Sequence, residues 1–223
     1  MKKIILLFSI FSLLSCKNEK SESTTESVEN EEKTKAREIA EAHGFENFKD
    51  VNEIKFTFNV KVGDSVRTSR SWHWKTKTDE IRLTEGDISR AYVQDKSIAE
   101  EEKEIDQKFI NDSYWLLFPY QLVWSDAEIS EEKLAEAPIG KEEMKSLLVS
   151  YSSEGGYTPG DSYEIFYEDD LIIKEWIYRS ADGTRESPTT WEDYEDFNGL
   201  KIAKSHKSPD GSFELFFSDI EVN

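Results

Sequence analysis

The residues able to carry chemistry are few, and their spacing closes more routes than it opens. The 223-residue chain has three histidines and one cysteine. His73 falls on the polar side of an alternating segment, beside Arg67 and Lys75, a poor place for a cationic metal. His43 stands at the expected end of a helix, where an imidazole meets the helix dipole favourably. His206 lies in a late strand. There is no HExxH and no second cysteine, so the sequence supplies no zinc ligand set. With Gly199 or Gly183 as the loop glycine of an EF-hand, the first ligand would be Tyr194 or Tyr178, and neither can serve. GxSxG, GxGxxG and GxxxxGK[ST] do not occur, which closes the common serine-hydrolase, dinucleotide and P-loop routes. The 47 Asp and Glu residues make any one carboxylate pair uninformative. Glu192, Asp193, Glu195 and Asp196 read as a solvated edge, not a glycosidase dyad. No catalytic residue, metal or cofactor is assigned, and a protein that is not an enzyme is expected.

Cys16 is the exception. Lys2 and Lys3 precede an apolar run from Ile4 to Leu14, interrupted only by Ser9 and Ser12. The run is too short to cross a bilayer, which takes about 20 apolar residues, and its basic flank marks a secretory signal. Leu13-Leu14-Ser15-Cys16 resembles a lipobox, so Cys16 is the expected lipidation site, of the kind palmitate labels; an ordinary signal cut nearby, leaving a free thiol, is the alternative. Residues 17–35 contain one apolar side chain, Val28, and cannot bury enough surface to offset their ordering entropy. The organisation expected is therefore a lipoprotein signal over 1–16, a disordered acidic leash over 17–35 and one domain over 36–223. Such a protein would sit on the outer membrane by its lipid anchor. Its domain would face the periplasm, with the cell surface as the alternative, since Lys17-Asn18-Glu19 only weakly resembles a surface-export signal.

The net charge is −19, and loss of Lys2 and Lys3 with the signal takes it to −21. That field repels nucleic acid and anionic headgroups and favours a soluble monomer. Aromatic residues make up 13% of the chain and include six tryptophans, rings that either a core or a pocket could hold.

The elements that must position these groups are mostly strands. A helix is expected over about 32–42, burying Ala36, Ile39 and Ala40 and ending at Gly44. Ile54, Phe56, Phe58, Val60 and Val62 alternate with polar residues, as do Val66, Thr68, Trp72 and Trp74 in the next segment. A three-residue loop, Gly63-Asp64-Ser65, would set Val62 opposite Val66, Phe56 opposite Trp72 and Ile54 opposite Trp74, keeping the apolar faces together. Further strands are expected over 80–84, 88–94, 120–124 and 145–152. A five-strand meander follows over 163–167, 171–179, 189–197, 200–207 and 213–222, with turns at Asp169-Asp170, Asp182-Gly183, Asn198-Gly199 and Pro209-Asp210-Gly211. A second helix should start at a Ser97/Glu100 capping box and bury Ile98, Ile105 and Phe109, and a helical turn is expected over 131–137. Leu171-Ile172-Ile173 and Trp176-Ile177-Tyr178 are apolar on both faces. The fold class expected is α+β, mostly β: a strongly curved antiparallel sheet, a half-barrel of about ten strands, with two or three helices in its concave face.

The order of parts resembles the lipoprotein-carrier superfold, the LolA/LolB-like half-barrel of outer-membrane lipoproteins. It is carried by Ala42-His43-Gly44 before Phe56-Thr57-Phe58, then Trp72-His73-Trp74, the segment from Asn111 to Pro119, Gly155 to Asp161, and Asn198-Gly199-Leu200. The resemblance is one of layout across about 35–223, and it implies an apolar cavity for acyl chains with no catalytic residues.

Two classes of function follow. One is a binder of lipid or acylated cargo, in a mostly apolar cavity lined by some of Phe56, Phe58, Trp72, Trp74, Trp115, Phe118 and Trp176. The other is a protein-interaction or scaffold module of the cell envelope. The apolar stretch from Tyr114 to Tyr120 fits a core or a pocket wall. Gly155 to Asp161 reads as a turn, with Pro159-Gly160 in the two central positions of type II, or as a binding loop.

Overall fold

The computed structural model describes residues 34–95 and 98–223. The signal with Cys16, the leash up to residue 33 and Ser97 of the expected capping box lie outside the described residues.

Thr34 caps the first helix, α1 (Lys35–Ala42), by accepting the Arg37 amide N–H, so the helix starts later than its charge pattern suggests. Ala36, Ile39 and Ala40 form its buried face, as expected. Gly44, at φ 91°, turns the chain into a 3-10 turn, Phe45–Asp50. A Cβ on Gly44 would meet the Gly199 carbonyl oxygen at 1.9 Å, so only glycine fits this corner.

The first sheet is built from β1 (Glu53–Val62), β2 (Ser65–Lys75), β3 (Glu80–Glu85) and β4 (Ile88–Val93), joined by consecutive hairpins. Ile54 pairs with Trp74 and Phe56 with Trp72, as the apolar faces require. The turn differs. Val62 pairs with Ser65 across a two-residue Gly63-Asp64 loop, and the register shifts by one between Val60 and Lys61. A bulge that leaves out Arg67 thus does what the longer loop was expected to do, and Val62 does not meet Val66.

After β4, a 3-10 turn (Glu100–Glu102) leads into the long helix α2 (Lys103–Trp124). Ile105 and Phe109 are buried on it as expected, while Ile98 packs on the same core from outside the helix. The strand expected over 120–124 is the last part of this helix. Pro119 sits inside it and Leu117 leaves helical geometry (φ −123°, ψ 27°), so the helix is kinked at the proline and runs on through it.

The second sheet follows: β5 (Glu128–Ile129), β6 (Lys133–Glu136), β7 (Glu143–Ser150), β8 (Ser162–Tyr167), β9 (Ile173–Arg179) and β10 (Glu186–Thr190). β6 replaces the helical turn expected over 131–137; its backbone pairs with β7. Residues 189–207, expected as two strands, break into β10, β11 (Glu195–Phe197), β12 (Leu200–Ile202) and β13 (Ser205–Lys207). β14 (Phe213–Val222) then returns to the first sheet beside β1. The described residues thus hold fourteen strands in two six-stranded antiparallel sheets and a β11–β12 ribbon, not one sheet of about ten. The edge strands β10 and β13 nearly join the sheets, through a single bridge between Glu192 and Ser205.

Two cores lie against α2. Phe56, Phe58, Trp72, Phe109 and Phe217 pack over the first sheet, and Phe118, Tyr167, Ile173, Trp176 and Trp191 over the second. β9 is covered on both faces as expected, Trp176 by the helices and Ile177 by a small cluster with Ala137 and Phe166.

Asp112 on α2, fully buried, accepts Arg70 Nε at 2.7 Å, Arg70 Nη2 at 2.6 Å and Trp72 Nε1 at 2.8 Å. Burial pushes its carboxyl above the ordinary value, and Arg70 opposes that shift. Arg70→Met should therefore cost about 3–5 kcal/mol, because it strands the carboxylate, whereas Arg70→Met with Asp112→Leu should cost clearly less. Urea unfolding of both variants checks this, and equal losses would contradict it.

Candidate functional site

Two grooves flank α2, and Ile110 and Gln121 line both. The first, about 450 Å³, lies between α2 and the segment joining β7 to β8. Tyr114 and Trp115 face it from the helix, Tyr151, Tyr157 and Tyr163 from the other side. The second, about 420 Å³, lies between α2 and the ends of β2 and β4, with Trp74, Phe109, Phe48 and Trp124 on its walls. Both fall in the size range of small-molecule sites, about 300–1,000 Å³.

The wall of the first groove is built by local rules. Gly160 has φ 83° and the Asp161 amide donates to the Thr158 carbonyl at 3.3 Å, so Pro159-Gly160 do occupy the central positions of a type II turn. Below it, the Asp161 carboxylate accepts the Tyr178 hydroxyl at 2.9 Å and the Ala181 amide at 3.0 Å. A Cβ on Gly160 would come within 2.8 Å of the Ala181 Cβ.

At its tip, the Tyr157 hydroxyl donates to Asp106 Oδ2 at 2.6 Å. Asp106 Oδ1 accepts the Tyr92 hydroxyl and Gln94 Nε2, each at 2.8 Å. Desolvation and the Asp106 carboxylate push the Tyr157 phenol up to about 12, so it stays a donor at any ordinary pH. Inside the groove, Tyr114 donates to the Tyr151 hydroxyl at 3.0 Å, and the Tyr114 and Tyr163 rings lie 5.1 Å apart.

The seven residues expected to line one cavity do not share one. Phe56, Phe58 and Trp72 are buried in the first core, with the Trp72 and Phe109 rings 5.3 Å apart. Phe118 and Trp176 are buried in the second, their rings 5.0 Å apart. Aromatic faces that point inward from two sheets meet one another and the helix, and they close the space a cavity would need. Trp115 does line the first groove, and Trp74 the second. Tyr114, Tyr151, Tyr157 and Tyr163 were not singled out from the sequence as a set. The signals that pointed toward them were the apolar stretch from Tyr114 and the loop from Gly155 to Asp161.

The histidines are structural. His43 is fully buried; its Nδ1–H donates to the Ile39 carbonyl at 2.8 Å, and its Nε2 accepts the Ile173 amide at 3.5 Å. It closes α1 as a neutral ring, at the helix end where it was expected. His73 Nε2 lies 2.8 Å from Glu53. His206 is buried on the Trp191 ring at 4.4 Å between centroids, with Nδ1 against the Thr190 carbonyl at 3.2 Å. Glu192 and Glu195 of the acidic edge pair with Lys207 and Lys204.

No family model matches the sequence, and no curated protein matches it. Among solved structures, the chain is similar to a LolA superfamily protein from Nitrosomonas europaea, at 10% identity and TM-score 0.48, over 86% of this chain and 94% of that one. It is also similar to a DUF1329 family protein from Desulfovibrio piger, at 8% identity and TM-score 0.43, over the same shares of each.

Burial depresses both interior imidazoles, His43 to about 4 and His206 to about 3. Below pH 6.5 the unfolded chain therefore binds protons that the folded chain refuses. The stability is fully present above that pH and falls as the pH drops toward 4, at a slope approaching about 3 kcal/mol per unit. Urea midpoints between pH 7.5 and 5 should show this fall, and His43→Gln with His206→Gln should flatten it. A wild-type profile flat over that range would refute it.

Proposed function

We propose that this protein is a non-enzymatic binder of an apolar or amphipathic small molecule, held in the groove between α2 and the 151–159 segment. One observation supports the reading above others. A half-open space of about 450 Å³ carries five aromatic side chains on its walls, while the rings at the centres of both cores, such as Phe56 and Trp176, are packed away. Ile110 is exposed at its edge, and polar side chains such as Asn111, Gln121 and Ser125 stand among the rings, able to orient the polar end of a ligand. The binding energy would come from removing alkyl carbons from water, about 0.8 kcal/mol per CH₂.

The reading includes an address: Cys16 carries the lipid that tethers the domain to the outer membrane, facing the periplasm. What supports this is the sequence of the first sixteen residues alone.

An interaction module is the second reading. It is favoured by the filled interior around Phe56 and Trp176 and by the open edge strand β4, where Ile88 and Val93 are exposed.

Two measurements decide. Titration of 1-alkanols of increasing length, followed by tryptophan fluorescence, should show affinity rising about fourfold per CH₂ until the groove is filled. Ile110→Glu should weaken that binding, whereas absence of any length dependence would favour the interaction module. Separately, labelled palmitate should enter the wild type expressed in a bacterial envelope and not Cys16→Ser. An unlabelled wild type would end the proposal of a lipid anchor.

A further inference from the structure

Resting on that reading, we infer that the ligand of the first groove is a single-chain amphiphile with a positively charged, alkylammonium head. The charged side chains among the described residues lining the groove are Asp126 and Glu154; none is Lys, Arg or His. Neither carboxylate has an ion-pair partner among the described residues, although lysines elsewhere are widely paired, as Lys145 is with Asp169 and Lys174 with Asp170.

Tyr114, Trp115, Tyr151 and Tyr163 line the same groove as these carboxylates. Aromatic faces attract an alkylated ammonium through their quadrupole, and carboxylates at the rim add to that attraction. The same arrangement opposes a fatty-acid carboxylate, which would leave water without a counter-charge and enter the field of a chain at −19. It also opposes a phospholipid, whose phosphodiester brings the negative charge back and whose two chains exceed a space of about 450 Å³.

The test compares three ligands of one chain length, dodecyltrimethylammonium, 1-dodecanol and dodecanoate, each below its aggregation threshold, on the full chain carrying Cys16→Ser. The order expected is cation tightest by about tenfold, then alcohol, then carboxylate. Asp126→Asn with Glu154→Gln should bring the cation level with the alcohol and leave alcohol binding unchanged. Asp64→Asn with Asp87→Asn, which alters net charge equally at two hairpin turns, should leave the preference intact. Dodecanoate binding as tightly as the cation would overturn the inference, as would a preference lost equally in both double variants. If none of the three binds, the groove reading itself falls, and the charge inference with it.

Discussion

One helix has to serve two sheets, and it does so by giving up part of its own hydrogen-bond ladder. Leu116, Leu117, Phe118 and Tyr120 are all buried, so no single face of a straight helix could hold them. Pro119 offers no N–H to the carbonyl of Trp115, and the backbone departs from helical angles at Leu117. Around the break the helix faces both ways: Ile105, Phe109, Leu116, Leu117 and Tyr120 go to the first core, Phe118 and Leu122 to the second. Just past the break, the Tyr120 hydroxyl reaches the His43 carbonyl at 2.9 Å and ties the helix to the end of α1. A helix that fills the middle in this way leaves its two flanks open, and the grooves are those flanks.

The ties around that helix are polar, and the chain has no other staple, since a single cysteine allows no intrachain disulfide. Among the described residues of an acidic protein four carboxylates are buried, and each is given donors. Asp112 has Arg70 and Trp72; Asp106 has two tyrosines and a glutamine; Asp161 has Tyr178 and a backbone amide. Glu175 accepts the amides of Ile139 and Gly140, each at 2.7 Å, and so fixes the β6–β7 turn on the outer face of the second sheet. The contrast is the seam where the sheets fail to merge. There the indole N–H groups of Trp176 and Trp191, the Thr189 hydroxyl and His206 Nε2 are buried without partners among the described residues. Each such group carries a desolvation cost of about 1–3 kcal/mol. That cost lies where β10 ends, at the point where a continuous ladder to β13 is replaced by one bridge.

What could be read in advance was whatever depends on neighbours in sequence. The pairing of Phe56 with Trp72 followed from alternation, and Asn198-Gly199 announced its turn: both residues have positive φ, at 53° and 84°. The bulge at Arg67 could not be separated from a longer loop, because both repair the register by one residue. The helix runs past Pro119, where a strand was expected over 120–124, for a physical reason. A proline ends a helix unless tertiary contacts hold the chain on both sides of it, and here Phe118 and Tyr120 are fixed by different partners. The aromatic residues misled likewise. Inward orientation was legible in Phe56, Phe58 and Trp72, but whether inward rings face a cavity or one another depends on the opposite wall. The groove residues come from α2, the two residues that follow it, the segment joining β7 to β8, and β8, and nothing local links Tyr114 to Tyr163.

The groove wall is held by both halves of the protein, which bears on how it can work. Its base belongs to the second sheet, through Asp161 and Tyr178 on β9. Its tip belongs to the first, because Tyr157 binds Asp106, and Asp106 also binds Tyr92 on β4 and the neighbouring Gln94. Gly155 and Gly156, both at positive φ and with open space where a Cβ would stand, lie between the tip and Ser152, whose carbonyl accepts the Gly160 amide at the base at 2.7 Å. A segment anchored at both ends and free between them can adjust to a ligand with little change in either core, the property expected of a binding loop on a rigid frame. Asp106 is the shared acceptor in that arrangement. It sits one helical turn before Ile110, which lines both grooves, and so the hydrogen bonds that shape the wall are set by the same helix that divides the two spaces.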